Sequence, residues 1–147
     1  IFFLSAALLL ACSTPEAPPS APEGPTTYAP KDTADVHTVS PLAQLMRDMT
    51  AFADSTRIRL AKGEELPPYP PNFKDMLTLE PTPGMVDHRV YDPFAFAYLH
   101  QLDSLYHTAK ADRPVIFDAL VSACAACHGE VCPGPLTRIN KLRPAKP

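Results

Sequence analysis

The sequence predicts an all-α fold, an antiparallel four-helix bundle. Apolar residues recur at helical spacing, three or four residues apart, in four separate segments of the chain. Capping residues and prolines mark where these segments begin and end. No stretch shows the alternation of apolar and polar residues that a half-buried strand requires, and no internal repeat is present. Helices of unequal length joined by turns pack as antiparallel neighbours in a bundle.

The first two predicted helices follow from caps and breakers. Ser40 is a good N-cap and Pro41 suits the first helical position, while Gly63 suits the end of the helix. The inward stripe of this helix consists of Leu42, Leu45, Met46, Met49, Ala53, Thr56 and Leu60. After a proline-rich turn, residues 72–79 predict a short second helix, which the following Pro81, Pro83 and Gly84 break.

The third and fourth predicted helices lie in the carboxy-terminal half. Asp92-Pro93 is a second cap-plus-proline start, and the fourth helix starts between Asp112 and Pro114. The third stripe consists of Phe94, Tyr98, Leu102, Leu105 and Ala109. The fourth stripe consists of Ile116, Ala119, Leu120, Ala123 and Cys127. Pro133, Gly134 and Pro135 lie beyond the end of the fourth helix.

The chain divides into three parts. Residues 1–12 form an apolar run, too short for the about 20 residues that span a bilayer, and typical of an export signal truncated at its start. Leu9-Leu10-Ala11-Cys12 resembles the lipobox of bacterial lipoproteins, which implies cleavage before Cys12 and acylation of that residue; an ordinary signal with a chance cysteine is the alternative. Residues 13–40 are proline-rich and predict an extended tether. Residues 41–147 form the folded domain.

Composition limits the function. The 147 residues carry a net charge of −3, too small to indicate a nucleic-acid partner. The 19 prolines mark linkers and turns, since they cluster in the tether, around residues 66–71 and near the C-terminus.

The signal and the lipobox-like sequence predict the localisation. We expect an exported, lipid-anchored domain on the periplasmic or surface side of a bacterial membrane.

The segment Cys124-Ala125-Ala126-Cys127-His128 carries the chemistry. C-x-x-C-H is the attachment signal for c-type haem. Residues three apart on a helix share one face, so the thiols of Cys124 and Cys127 can each form a thioether with one porphyrin vinyl group. His128 can then reach the iron as proximal ligand. One covalently bound haem c is the predicted cofactor.

Three other interpretations of this segment were weighed. A redox dithiol of the thioredoxin type needs a strand-helix-strand context, which the sequence does not predict. A zinc site could recruit Cys124, Cys127, His128 and Cys132, but the usual paired spacing is missing. A disulfide between Cys124 and Cys127 would strain a helix.

The placement of the motif on the last predicted helix resembles its placement in one protein family. Only residues 129–147 follow His128, and they contain neither Met nor His, so a sixth iron ligand from this chain lies upstream. The chain resembles the class II c-type cytochromes, the cytochrome c prime family, over about residues 40–130. Those proteins are four-helix bundles with C-x-x-C-H on the last helix, and their low-spin members bind iron through a Met early in the first helix. The resemblance implies Met46 as sixth ligand, with Met49 as the alternative.

The remaining candidates are less specific. The other residues that could ligate the iron are Met76, Met85, His37, His88, His100 and His107. Plausible walls of a haem pocket are Phe52, Phe94, Tyr98 and Phe117. A basic tail, for which a solvated state is the default expectation, contains Arg138, Lys141, Arg143 and Lys146. Cys132 is either a free thiol or the site of an intermolecular disulfide.

Two functions compete. Met and His axial ligands predict electron transfer, with a membrane respiratory complex or a periplasmic redox protein as partner. An empty sixth position, found in the high-spin members of the family, would predict binding of nitric oxide or carbon monoxide. A subunit docked permanently to a larger oxidoreductase is a weaker third interpretation, and a homodimer is compatible with all three. No residues predict an independent catalytic site, so an electron carrier rather than an enzyme is expected.

Overall fold

The computed structural model describes residues 39–144 and is all-α, as predicted. Three long helices are α1, Pro41–Ala61; α2, His88–His107; and α3, Arg113–Val131. A short fourth helix, α4, spans Leu136–Asn140, and 3-10 helices span Pro71–Leu77 and Lys110–Asp112. Within residues 39–144 there is no strand. The predicted signal, Cys12 and nearly all of the tether lie outside the described residues.

Helix α1 begins and ends where the sequence predicts. The Ser40 side chain accepts a hydrogen bond from the Ala43 backbone N–H at 3.2 Å, and Pro41 is the first helical residue. At the other end Gly63 has a φ of +67°, in the left-handed region that glycine adopts without a Cβ clash. The fully buried residues of α1 are Leu42, Leu45, Met49, Ala53 and Thr56. The predicted stripe is therefore the face that packs into the core.

The predicted second helix is a 3-10 helix. Pro70 is its N-cap, Pro71 is its first residue and Pro81 follows its end, so prolines limit its length at both ends. Its side chains Phe73 and Met76 are buried. The Phe73 ring meets the Phe52 ring edge-on, with centroids 5.3 Å apart. This segment thereby packs against α1 and α2 despite its shortness.

The predicted start of the third helix is wrong by about one turn. Helix α2 begins at His88, because the Asp87 side chain accepts a hydrogen bond from the Arg89 backbone N–H at 3.0 Å. Pro93 therefore lies inside the helix rather than at its start. The earlier start brings Tyr91 into the core at 2 % exposure. Ala109, predicted on this stripe, lies beyond the last helical residue His107.

Helix α3 is the most apolar of the described helices. Together with the preceding 3-10 turn it is long and apolar enough to cross a membrane by length and composition alone. It packs most extensively against α2 and also contacts α1 and α4. Its fully buried residues are Phe117, Leu120 and Val121, of which only Leu120 belongs to the predicted stripe. The other four predicted residues of that stripe are only half-buried.

The basic side chains Arg138 and Lys141 of the C-terminal tail are exposed, as expected, but the segment that carries them packs on the domain. Helix α4 packs against α3, and Ile139 and Leu142 are buried at 5 % and 6 % exposure. The tail is also held by Arg143, which donates hydrogen bonds to Asp118 Oδ1 and Ser122 Oγ at 3.0 Å each. The apolar residues of this segment are spaced three apart and so lie on one helical face. Their burial holds the segment in place although most of its residues are polar.

We expect Leu142→Ala to destabilise the protein. Removing a buried leucine side chain leaves a cavity, which costs about 2–4 kcal/mol in free energy of unfolding. The measurement is urea unfolding followed by circular dichroism. Lys141→Ala, one position away and exposed, is the control and should change the free energy of unfolding by less than about 0.5 kcal/mol. Equal stability of Leu142→Ala and the wild type would contradict the packing of α4.

Candidate functional site

The C-x-x-C-H segment lies in the last two turns of α3. Cys124 and Cys127 are one turn apart, so both thiols face the same side of the helix. Both are half-buried, and neither is in a disulfide. His128 follows directly and is also half-buried. The helix thus presents two thiols and one imidazole to the space beside α1.

A cavity of about 320 Å³ lies between the start of α1, residues 81–86 and the end of α3. This volume falls within the range of about 300–1,000 Å³ that small-molecule and cofactor sites occupy. The functional candidates on its wall are Met46, Met85, Cys127, His128, Cys132 and Arg138. The wall is mainly apolar, with Leu42, Val86 and Val131 among its side chains. We call this space the outer cavity.

A smaller cavity of about 40 Å³ lies deeper, between α1, α2 and α3; we call it the inner cavity. Cys124 lines it together with Met49. Met46, Cys127 and His128 line both cavities. The structure therefore brings Met46 on α1 and the C-x-x-C-H segment on α3 to the same site, although at least 78 residues of sequence separate them.

The imidazole of His128 is oriented by a hydrogen bond. Its Nδ1 lies 3.0 Å from the backbone carbonyl oxygen of Cys132, at the C-cap of α3. A carbonyl oxygen can only accept, so Nδ1 carries the hydrogen and donates it. In neutral imidazole the lone pair then remains on Nε2, the arrangement in which a histidine binds a metal.

The two thiols are protonated at neutral pH. Burial raises the pKa of the Cys124 thiol to about 12, with a smaller contribution from the nearby Cys127. Burial likewise raises the pKa of the Cys127 thiol. Reactive redox dithiols instead have a lowered pKa, usually at a helix N-terminus or beside a cation. These two cysteines lie at the carboxy-terminal end of a helix and lack that activation.

The alternatives weighed from the sequence find no support among the described residues. Within residues 39–144 no three His, Cys, Asp or Glu side chains come together in a group that could hold a metal ion. The strand-helix-strand context of a thioredoxin-type site is also missing from this part of the chain. Cys124, Cys127 and Cys132 are free thiols.

Two of the four aromatic residues predicted as walls of a haem pocket line a cavity. Phe94 and Tyr98 line the inner cavity. Phe52 packs against Phe73, and Phe117 is fully buried; neither lines the outer or the inner cavity. Sequence reasoning missed Tyr91, which lines the outer cavity and donates a hydrogen bond to the Met76 carbonyl oxygen at 3.0 Å.

Ile139 was also missed, and it lines both cavities. The signal that could have found it is the spacing of Leu136, Ile139 and Leu142 after a proline, which is that of a short amphipathic helix.

The described upstream histidines lie away from both cavities. His88, His100 and His107 are exposed. His88 pairs with Asp92 at 2.9 Å and His107 with Asp103 at 3.4 Å. They match the expectation of solvated side chains, whereas His37 lies outside the described residues.

Comparison of the chain with protein-family models, with curated proteins and with solved structures finds no match.

We expect His128 to be in the Nδ1–H tautomer in protein produced without haem attachment. The measurement is the pair of ¹⁵N ring shifts at neutral pH in protein labelled on histidine. The exposed His100 is the internal control and should show the mixed, mainly Nε2–H state of a solvated imidazole. A predominant Nε2–H tautomer for His128 would contradict the hydrogen bond to Cys132.

Proposed function

We propose that this chain is a monohaem c-type cytochrome that transfers electrons while tethered to a membrane. The observation that carries the proposal is that Cys127, His128 and Met46 line the same two cavities, with Cys124 on the inner one. In this proposal Cys124 and Cys127 hold the haem through thioether bonds. His128 and Met46 would be the residues that bind the iron. No residue is assigned a catalytic role, since the protein acts as a carrier.

The residues present fit a haem group. The outer cavity is large enough for a cofactor and mainly apolar, as a porphyrin face requires. His128 has its Nε2 lone pair free for iron, because Nδ1 is engaged with Cys132. Helix α3 exposes Ala123, Cys124 and Cys127 to the cavities although these residues are apolar. A flat apolar group against this face would bury that surface.

When bound, a haem with His and Met ligands supplies a one-electron couple of raised potential. Residues of the chain would control the reduction potential and the access of small ligands. The Cys132 carbonyl fixes the ring of His128. The thioether of Met46 would bind the iron and so keep small ligands out. The apolar walls limit water, which tunes the potential further.

Met46 is favoured over Met49 by its surroundings. Met46 is half-buried and lines both cavities together with His128. Met49 lines only the inner cavity and is 7 % exposed, as a residue of the core is. The difference of one turn along α1 therefore separates Met46, which reaches both cavities, from Met49, which reaches only the inner cavity.

The proposal extends to the arrangement of the helices. Helices α1, α2 and α3, with the 3-10 helix Pro71–Leu77 as the second member, would form the antiparallel four-helix bundle expected from the sequence, with the haem near the C-terminal helix. This plan resembles that of the class II c-type cytochromes. It is supported by the contacts of the 3-10 helix with both α1 and α2.

We expect the double substitution Cys124→Ala and Cys127→Ala to abolish covalent haem. Protein co-expressed with haem-attachment machinery is separated on a denaturing gel and stained for haem peroxidase activity. Cys132→Ala is the matched control and should keep the stain, since Cys132 forms no thioether in this proposal. A wild-type protein without covalent haem would overturn the proposal at its root.

We expect Met46→Ala to convert a low-spin site into one open to ligands. The wild type should show the weak near-red band of sulfur ligation in the ferric state and resist carbon monoxide when ferrous. Met46→Ala should lose that band, have a lower potential and bind one carbon monoxide per haem. Met49→Ala, the matched control, should bind none.

Two outcomes would change the assignment of the sixth ligand. If Met49→Ala opens the site and Met46→Ala does not, the ligand is one helical turn away and electron transfer still stands. If the wild type is high-spin and binds carbon monoxide readily, the protein binds nitric oxide or carbon monoxide instead.

We expect the mature protein to begin at an acylated Cys12. Cys12 lies outside the described residues, so the proposal rests on the lipobox-like sequence and the tether after it. A lasting anchor requires two or three acyl chains, since one binds only marginally. Mass spectrometry of the mature N-terminus should find this mass. A soluble product cleaved elsewhere would exclude the anchor.

A further inference from the structure

Basic side chains line the outer cavity and a groove beside it. This groove has a volume of about 660 Å³ and lies between α1 and the segment that contains α4. The charged residues lining the outer cavity and this groove are Arg47, Arg57, Arg59, Arg138, Lys141, Asp54 and Glu64. We call this set the basic face.

The net charge of the basic face is opposite in sign to that of the whole chain. Five cations and two carboxylates give it a net charge of +3. Residues 39–144 contain 11 Lys and Arg and 12 Asp and Glu, a net charge of −1, so the part of them outside the basic face carries −4. Within this part of the chain, positive charge is therefore concentrated beside the proposed haem site.

Four of the five cations have no carboxylate partner among residues 39–144. Arg57 pairs with Asp54 at 2.8 Å, and Arg59 donates to the Glu65 carbonyl oxygen at 3.3 Å. Arg47, Arg138 and Lys141 are exposed and form no ion pair within the described part of the chain. By contrast, Arg143 on the same tail is paired with Asp118 at 3.0 Å. The positive potential of this face is thus left available to a partner.

The basic face is continuous with the site. Arg138 lines both the outer cavity and the groove, and Thr50 lines these two and the inner cavity. Arg47 follows Met46 directly on α1 and lines the outer cavity. An occupant of the groove would therefore lie beside whatever fills the cavities.

We infer that the basic face is the docking surface for an acidic redox protein, which exchanges one electron with the haem across it. The inference rests on the proposed function. Complementary charge steers association, raising the association rate about 10- to 1,000-fold at low salt, and sets the orientation of the encounter. A partner guided to this face meets the chain beside the outer cavity, which Arg47 and Arg138 line.

The experiment measures electron transfer from the ferrous holoprotein to two blue-copper proteins, one acidic and one basic. In each reaction one electron leaves the ferrous haem and reduces Cu(II) to Cu(I). The acidic acceptor should react about tenfold faster than the basic one at low ionic strength, and its rate should fall as salt is added. The net charge of −3 alone would predict the reverse order.

Two charge reversals locate the surface. Arg138→Glu and Lys141→Glu should each slow the acidic acceptor about fivefold or more at low salt. Arg89→Glu changes the net charge equally but lies on α2, away from both cavities and the groove, and should slow it less than twofold. Haem content and reduction potential are measured for every variant, so that loss of the fold is not mistaken for loss of docking.

Each contrary result would overturn a different part of the proposal. A faster basic acceptor, or equal slowing by Arg89→Glu and Arg138→Glu, would overturn the docking surface while electron transfer stands. If Arg138→Glu leaves the acceptor rate unchanged but abolishes binding to anionic phospholipid vesicles, the face binds a membrane and not a protein. A wild type without haem would instead refute the proposed function itself.

Discussion

The apolar character of α3 on more than one side is the constraint on which the rest of the structure depends. One side carries Phe117, Leu120 and Val121 into the core against α2. Another side carries Ala123, Cys124 and Cys127 to the cavities. A helix with such a surface is stable in water only when neighbours cover both sides. Helices α2 and α4 cover one part, and the proposed haem would cover the other.

The end of α3 matters as much as its faces. The last carbonyl groups of a helix lack intrahelical partners, and the Cys132 residue that caps α3 turns its own carbonyl oxygen toward His128. The imidazole is thus fixed by backbone rather than by another side chain. Its orientation depends on where α3 stops, which Pro133 enforces by its lack of a backbone N–H.

The apolar walls of the cavities and the charged side chains occupy different parts of the described structure. The walls of the cavities are apolar, and the charges that surround them are mainly basic, while most carboxylates lie elsewhere. Such segregation costs folding stability through like-charge repulsion. In the proposed carrier it would orient a partner without placing a charge inside the site.

The sequence by itself determined the all-α class, the ends of α1 and the presence of C-x-x-C-H on a helix. These features depend on local chemistry: a serine cap, a glycine at positive φ and residues three apart on one helical face. It misjudged the start of α2, because Asp87 and Asp92-Pro93 are both good local starts, and the burial of Tyr91 accompanies the earlier one.

Only the tertiary structure decided what surrounds the site. The packing of α4, the contact of Ile139 with both cavities and the gathering of Met46 with His128 all join residues distant in sequence. Periodicity indicates which face of a helix is apolar, but not which neighbour covers it. The register between α1 and α3 places Met46 at both cavities and Met49 at the inner cavity alone, and side-chain packing across the core fixes it.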